Sequence, residues 1–359
     1  MPVPAPRTLP LDEMASRYRR ADLIVSLATV DEYAEVETLA RAADPHEVFL
    51  PLTADTLNWF VDANPHGPGF LVIVRAGDGG AIVGHFLFYA TTLVRTLDGI
   101  KHEIPAYLYV NLYVRPEYRR RGVFATMFAF GLDVLKPMGI RFAYTVPNPR
   151  SSPGFVKFGV PLLGTLPCWM APASPVWRSL ASLASWGSPA VTAARVGEFD
   201  ESMIHARHDE GVVRGLRTAG ALNWRFAQRP GVEYGIWRVG CCEGGGYVVT
   251  RAVTIQGHRV LAICDMAFDR WNATLLRATL GAIGRQTADQ RCTLVMFQGG
   301  SPEPLFTRSL WRAGLIPVPN RLLPQPVAVF GGDPQQRGST GGFPLLNQWA
   351  LTPCDWDVF

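Results

Sequence analysis

The chain has 359 residues, of which 48% are hydrophobic and 18% charged, with a formal net charge of +4. That balance excludes a disordered chain and leaves apolar mass for two cores of ordinary domain size. The positive residues are spread along the sequence apart from Arg17, Arg19 and Arg20 and the run Arg119, Arg120 and Arg121, so no nucleic-acid partner is expected. The six cysteines, Cys168, Cys241, Cys242, Cys264, Cys292 and Cys354, include no C-x-x-C pair and have no histidines at ligand spacing. There is no run of 18 apolar residues and no apolar leader. The expectation is a cytoplasmic protein with free thiols, no metal and no membrane span.

Residues 1–20, rich in Pro and Arg, read as a tail. Leu23 to Val30 reads as a strand, Asp31 as the N-cap of a helix carrying Val36, Leu39 and Ala40, and Thr53 or Asp55 as the cap of a second helix. That second helix contains Leu57-Asn58-Trp59 and ends near Pro65. Phe70 to Arg75 and Ala81 to Tyr89 read as strands joined by a turn at Gly77 to Gly80. The alternation from Tyr107 to Val114 predicts a further strand, with Leu108, Val110, Leu112 and Val114 on one face and Tyr107, Tyr109, Asn111 and Tyr113 on the other. Pro116 ends it. Val123, Met127 and Phe130 then recur at helical spacing, so a helix begins near Gly122, fed by Arg119, Arg120 and Arg121. Unpaired N–H groups, the helix dipole, a glycine and three guanidinium groups together suit an anion. A solvated basic turn would also read as an Arg run.

After a strand over Arg141 to Val146 come Asn148, Ser151, Ser152, Phe155, Lys157, Gly159 and Val160. Leu57-Asn58-Trp59 with Pro65 recurs as Leu222-Asn223-Trp224 with Pro230. The element pattern returns behind it: strands at Tyr234 to Val239, Gly246 to Ile255 and Arg259 to Ala267, a helix over Asn272 to Thr287, a strand over Arg291 to Gln298 and a last helix up to Leu315. Where the first half has its Arg-rich glycine loop, the second has Phe268-Asp269-Arg270-Trp271-Asn272-Ala273-Thr274, with no glycine and one arginine.

The run Arg119-Arg120-Arg121-Gly122-Val123-Phe124 resembles the pyrophosphate loop of the GNAT superfamily of acyl-CoA N-acyltransferases, (Gln/Arg)-x-x-Gly-x-(Gly/Ala). Phe124 departs from its small last residue. Asn148, Ser151, Phe155, Lys157, Gly159 and Val160 fall at the places of that superfamily's next motif, and Leu222 to Phe226 and Trp349 to Asp357 look like segments of bacterial tandem GNAT proteins. The resemblance implies a mixed, largely antiparallel α/β sheet with flanking helices, duplicated in tandem. The expected layout is a tail to residue 20, an acyl-CoA domain at 21–173, a linker at 174–194, a degenerate second domain at 195–332 and a tail at 333–359 that packs on the domains.

It also implies acetyl-CoA or another acyl-CoA as co-substrate and a small-molecule amine as acceptor. The co-substrate would be held by Leu112, Tyr113, Val114, Arg119, Arg120, Arg121, Gly122, Val123, Phe124, Asn148, Ser151 and Phe155. Phe155 stands where many GNAT enzymes have a tyrosine that protonates the departing thiolate, so Ser151, Ser152 or water is left for that step. For the amine's proton the sequence offers Glu103, His102, His85, Asp355 and Asp357, and Tyr109 as a residue that could order a water. Trp59, Tyr107, Tyr109 and Trp169 read either as walls of an acceptor pocket or as core. Two other readings stay open. One is a non-catalytic acyl-CoA sensor or scaffold. The other is an aminoacyl transferase of the tandem-GNAT peptidoglycan type, which needs no pyrophosphate loop.

Overall fold

The computed structural model describes residues 5–18, 20, 22–43, 52–173, 191–204, 210–241, 244–255, 257–322, 326–330 and 346–356. The chain divides into two compact units. Unit 1 comprises residues 1–93, 103–164 and 326–343, and unit 2 residues 94–102, 165–325 and 344–359. Among the described residues no helix is long and apolar enough to cross a membrane. Cys168, Cys264, Cys292 and Cys354 are free thiols.

Unit 1 is built on strands β1 (Leu23–Leu27), β2 (Phe70–Ala76), β3 (Ile82–Leu97), β4 (Ile100–Val114), β5 (Ala143–Thr145) and β6 (Leu162–Thr165), joined by β15 (Pro326–Phe330). The sheet order is β1-β2-β3-β4-β5-β15-β6. Thr53 caps helix α3 (Ala54–Val61) as expected. Thr29, rather than Asp31, forms the capping box with Glu32 ahead of helix α2 (Tyr33–Ala43). The strands at β3 and β4 run longer than the expected ones because they form one hairpin, turned by Asp98 and Gly99 at positive φ of 52° and 73°. An Asp-Gly pair is a strong hairpin signal, and here it lies between two β-rich runs.

Helix α4 (Val123–Leu135) lays Met127, Phe128, Phe130, Val134 and Leu135 on one face of this sheet, against Phe70, Val72, Phe86, Phe88, Tyr107 and Tyr109. On β3's other face Phe60 of α3 meets Tyr89, with ring centroids 4.7 Å apart. The sheet is thus covered on both faces, as a mixed α/β layer requires.

Unit 2 contains β7 (Cys168–Pro172), β8 (Thr192–Val196), β10 (Gly235–Cys241), β11 (Gly244–Ile255), β12 (His258–Phe268), β13 (Leu294–Gln298) and β14 (Ile316–Val318) in the order β14-β7-β13-β12-β11-β10-β8. In the second half of the chain helix α6 is Ala219–Leu222, α7 is Ala273–Gln286 and α8 is Pro304–Arg312. Leu275, Leu276 and Ile283 of α7 and Phe306 and Leu310 of α8 pack with Trp169, Trp237 and Phe297 in one core.

Counted from the edge at β1 or β8, the two sheets place their strands in the same chain order, apart from one insertion each. β15 lies between β5 and β6, while β7 lies between β13 and β14. The repeated tripeptide keeps its burial as well: Leu57 and Leu222 are inaccessible, and Trp59 and Trp224 nearly so. Each sheet is therefore completed by a strand from the other half of the chain.

That exchange predicts the behaviour of a fragment. Residues 1–173 lack β15, which pairs with β5 over Ala143 to Thr145, and keep β7 without β13. The expected outcome is a fragment with no cooperative urea transition and with bound hydrophobic dye, while the full chain melts cooperatively. A two-state transition for the fragment would overturn it.

Candidate active site

Within unit 1 the pairing of β4 with β5 is short. The two strands run parallel only at Tyr107–Ala143 and Leu108–Tyr144. Three residues past Leu108, Asn111 takes the left-handed conformation at φ 51°, which asparagine tolerates better than most residues. A left-handed residue inside a strand shifts the alternation of its side chains. Tyr107 and Tyr109 therefore belong to the core under α4, and beyond Asn111 it is Leu112 and Val114 that pack on the same core. The expectation of an unbroken period, with all four tyrosine and asparagine positions on one wall, is corrected at this residue.

β4 ends at the arginine loop. Arg119 Nε donates to the carbonyl of Val114 at 3.0 Å, and its guanidinium lies 5.9 Å from the centre of the Tyr113 ring. Arg121 pairs with Asp22 at 2.5 Å, both about half exposed, and covers Tyr118 at 5.0 Å. Arg120 and Gly122 both have positive φ, 61° and 82°. Gly122 is the N-cap of α4, where no side chain caps the helix and its first turn has no acidic residue.

Consecutive left-handed and helical residues turn backbone N–H groups toward one point, and the helix dipole adds positive potential there. Sequence reading missed one member of this seat. Arg20, assigned to the tail, donates through Nη1 to the Arg121 carbonyl at 2.8 Å, and its guanidinium lies 3.0 Å from where a Cβ on Gly122 would stand. The signal was the Arg17 to Arg20 cluster, but nothing in the sequence ties it to a loop a hundred residues away.

Asn148, Ser151 and Ser152 are brought together as a turn that starts helix α5 (Ser152–Lys157). Asn148 Oδ1 accepts from the N–H groups of Arg150 and Ser151 at 2.9 and 3.0 Å, and its carbonyl accepts from Ser152 Oγ at 2.9 Å. Phe155 is buried in the unit 1 core, with its ring centre 5.2 Å from Phe124 and 5.5 Å from Phe128. Phe124, the departure from the loop pattern, reaches across to α5. A Cβ on Gly154 would lie 2.6 Å from the Phe124 ring, so glycine is what lets α5 come this close.

The candidates for proton transfer separate. His85 on β3 is 2% exposed, its ring centre is 6.0 Å from Tyr113, and its Nδ1 has no partner among the described residues. Burial pulls its pKa down to about 4. Tyr109 is equally buried, and its hydroxyl has no partner among the described residues. Glu103 is exposed near the start of β4. His102 falls in the hairpin tip that belongs to unit 2, and Trp169 in the unit 2 core.

Asp355 also belongs to unit 2. Both its oxygens accept from Arg217, at 2.8 and 2.9 Å, and Arg217 Nε reaches Asp265 at 2.8 Å. Tyr247 donates to Asp265 at 2.9 Å and Thr352 at 2.6 Å. Asp355 thus acts here as a fastener of the terminal segment, with Arg225 donating to the carbonyls of Cys354 and Trp356. Asp357 lies outside the described residues.

Unit 2 repeats part of this geometry. β12 pairs parallel with β13 from Val260 to Ile263, and the β11–β12 register slips just there, Val249 facing Asp265 and Thr250 facing Ile263. The helix that follows is closed, however. Asn272 Oδ1 accepts from the N–H groups of Thr274 and Leu275 at 2.8 and 3.4 Å, and Trp271 packs against Phe268 and Phe306.

No protein-family profile matches this chain and no curated protein does. Solved structures do. A Kribbella flavida GCN5-related N-acetyltransferase superposes with a TM-score of 0.52 at 15% identity, over 86% of this chain and 70% of its own. An Enterococcus faecalis protein described as a probable N-acyltransferase gives 0.53 at 13%, over 85% and 72%. Saccharomyces cerevisiae N-myristoyltransferase, solved with bound myristoyl-CoA and inhibitors, gives 0.56 at 12%, over 91% and 83%. The chain has the GNAT fold. At these identities the likeness speaks for the fold.

The buried His85 gives a pH test of this geometry. The unfolded chain takes up a proton on this imidazole below about pH 6.5, the folded chain only near 4. The unfolded state therefore binds more protons between those values, and stability present above pH 6.5 is lost as pH falls through the window. The expected loss attributable to His85 between pH 7 and pH 5 is about 2 kcal/mol. Urea melts of wild type and His85→Leu at both pH values measure it, since the variant should lack this part of the slope. Equal slopes in the two proteins would refute the assignment.

Proposed function

We propose that the protein is an acyl-CoA-dependent N-acyltransferase that moves an acetyl or other short acyl group to the amine of a small-molecule acceptor, with CoA held by unit 1 alone. The observation that carries this reading is the uncapped α4 N-terminus, preceded in the chain by Arg119, Arg120 and Arg121 and touched by Arg20, at the far end of a strand that has parted from β5. A diphosphate suits the helix end. The backbone of Leu112, Tyr113 and Val114 suits the amides of a pantetheine arm, as an added strand suits a sheet edge. The turn at Asn148 and Ser151 and the ring of Phe155 would wall the other side. Aligning thioester and amine in this way supplies much of the acceleration an acyl transfer needs, of order ~7 kcal/mol.

In this reading unit 2 is a second GNAT-like copy that has lost its cofactor seat. Asn272 satisfies the helix N–H groups that a phosphate would need, and the strand order matches that of unit 1. One observation favours a second reading, acyl-CoA binding without turnover: Phe155 has no proton to give to a departing thiolate. Thiol release from acetyl-CoA in the presence of an amine library separates the two, since a sensor releases none.

Calorimetry with CoA should give one site per chain. Gly122→Val forces a branched side chain into a left-handed N-cap and displaces Arg20, so it should weaken CoA binding at least about tenfold. Arg270→Ala should leave it unchanged. Two sites per chain, or full affinity in Gly122→Val, would overturn the assignment of CoA to the unit 1 loop.

A further inference from the structure

We propose that unit 2 carries a binding site of its own, at the C-terminal end of α7, for a small monocarboxylate with a short apolar body. The inference stands apart from the acyl-transfer reading, since every residue in it belongs to unit 2.

Two hollows meet there. One is a mainly apolar cavity of about 40 Å³ lined by Leu261, Leu280, Gly281, Val295 and Ala313 among others. The other is an open polar cleft of about 200 Å³ lined by Arg195, Glu233, Arg259 and Gln290 among others. Thr287, the C-cap of α7, lines both. Ala252 of the cleft faces Leu261 of the cavity across the β11–β12 pair. The N–H of Thr293 donates to the Arg259 carbonyl at 2.8 Å, which sets Arg259 beside Cys292 of the cavity wall. Burial pushes the Cys292 thiol up, and the Arg259 guanidinium pulls it back, so the charge of the cleft is felt at the cavity.

The charges select the head of the ligand. Arg259 stands two residues before Leu261 on β12, so both face α7. Arg195 is opposite Trp237 in the β8–β10 pair, and Trp237 belongs to the same core. Arg195 is paired with Glu233 at 2.5 Å, whereas Arg259 has no ion pair among the described residues. Two other arginines are turned elsewhere: Arg251 covers the Tyr234 ring at 6.0 Å, and Arg277 donates to the Arg312 carbonyl. The cleft therefore offers a surplus of one positive charge. A guanidinium fork matches the two oxygens of a carboxylate, while Glu233 opposes a second negative charge on the ligand.

The cavity selects the body. Gly281 is buried inside α7, yet a Cβ placed on it would meet only the tip of the Arg285 side chain, at 3.6 Å. Glycine weakens a helix interior, and here it leaves room. A space of this size takes a few carbon atoms and excludes a long chain.

The test titrates the full chain with hexanoate by ligand-observed NMR, using acetate, hexan-1-ol and inorganic phosphate as probes of head, body and charge. Hexanoate should bind at least about tenfold more tightly than each of the three. It should also slow alkylation of Cys292 by N-ethylmaleimide, read by mass spectrometry of the Cys292 peptide. Arg259→Gln removes the charge at an exposed position, and Gly281→Leu fills the cavity with a better helix former, so both variants should keep their Tm. Each should weaken hexanoate at least about tenfold and leave CoA affinity within about twofold.

Hexanoate binding no tighter than acetate overturns the proposal, as does equal binding of hexanol or phosphate. Unchanged hexanoate affinity in Arg259→Gln overturns it too, whatever the fate of Gly281→Leu. A parallel loss of CoA affinity in Arg259→Gln would also overturn it, because the site would then not be separate from the CoA seat.

Discussion

The constraint on which unit 1 depends is the brevity of one parallel pairing. β4 and β5 share two residue pairs and then part, and three residues later Asn111 takes a left-handed conformation. An L-residue held there costs of order 1–2 kcal/mol. The surrounding sheet and the α4 layer hold it in place. From that residue follows the turn of Leu112 and Val114 onto the core that Tyr107 and Tyr109 share under α4, along an edge of β4 with no β5 partner beyond Leu108. The arginine loop and the uncapped start of α4 stand at the end of this edge.

The two units differ by a small chemical change at the start of one helix. Both have the same strand order apart from one insertion each, a short parallel pairing and an irregular strand before that helix. In unit 1 the helix begins at Gly122, which has no side chain to offer. In unit 2 it begins at Asn272, whose carboxamide occupies the N–H groups itself. The carboxylate that unit 2 does carry beside its strand irregularity, Asp265, is 1% exposed and engaged by Arg217, Tyr247 and Thr352. Breaking one partner of such a buried set would leave a charge unpaired, which is why it serves better as a clamp than as a proton shuttle.

Strand exchange binds the stability of each unit to both halves of the chain. β15 stands beside β5 and β7 beside β13, so a local boundary drawn between residues 173 and 195 does not separate two self-sufficient sheets. The terminal segment behaves similarly within unit 2, where Trp349, Leu351 and Trp356 are buried and Arg217 and Arg225 grip Asp355 and its neighbours.

Much of this was legible in the residues alone. The change of period between Val114 and Val123 gave the strand, loop and helix. Gly122 gave the start of α4, Thr53 the cap of α3, and the repeated Leu-Asn-Trp the pairing of two similar strand sets. These are local signals, written in spacing and turn chemistry within a dozen residues. Only the tertiary structure decided the rest, because it depends on groups far apart in sequence. Arg20 joins the loop at Gly122, β15 enters the first sheet from the end of the chain, and Asp355 meets Arg217 rather than solvent. Even the face that Leu112 and Val114 occupy was not fixed by alternation, since the left-handed Asn111 reverses the period and no pattern of apolar residues announces where that reversal falls.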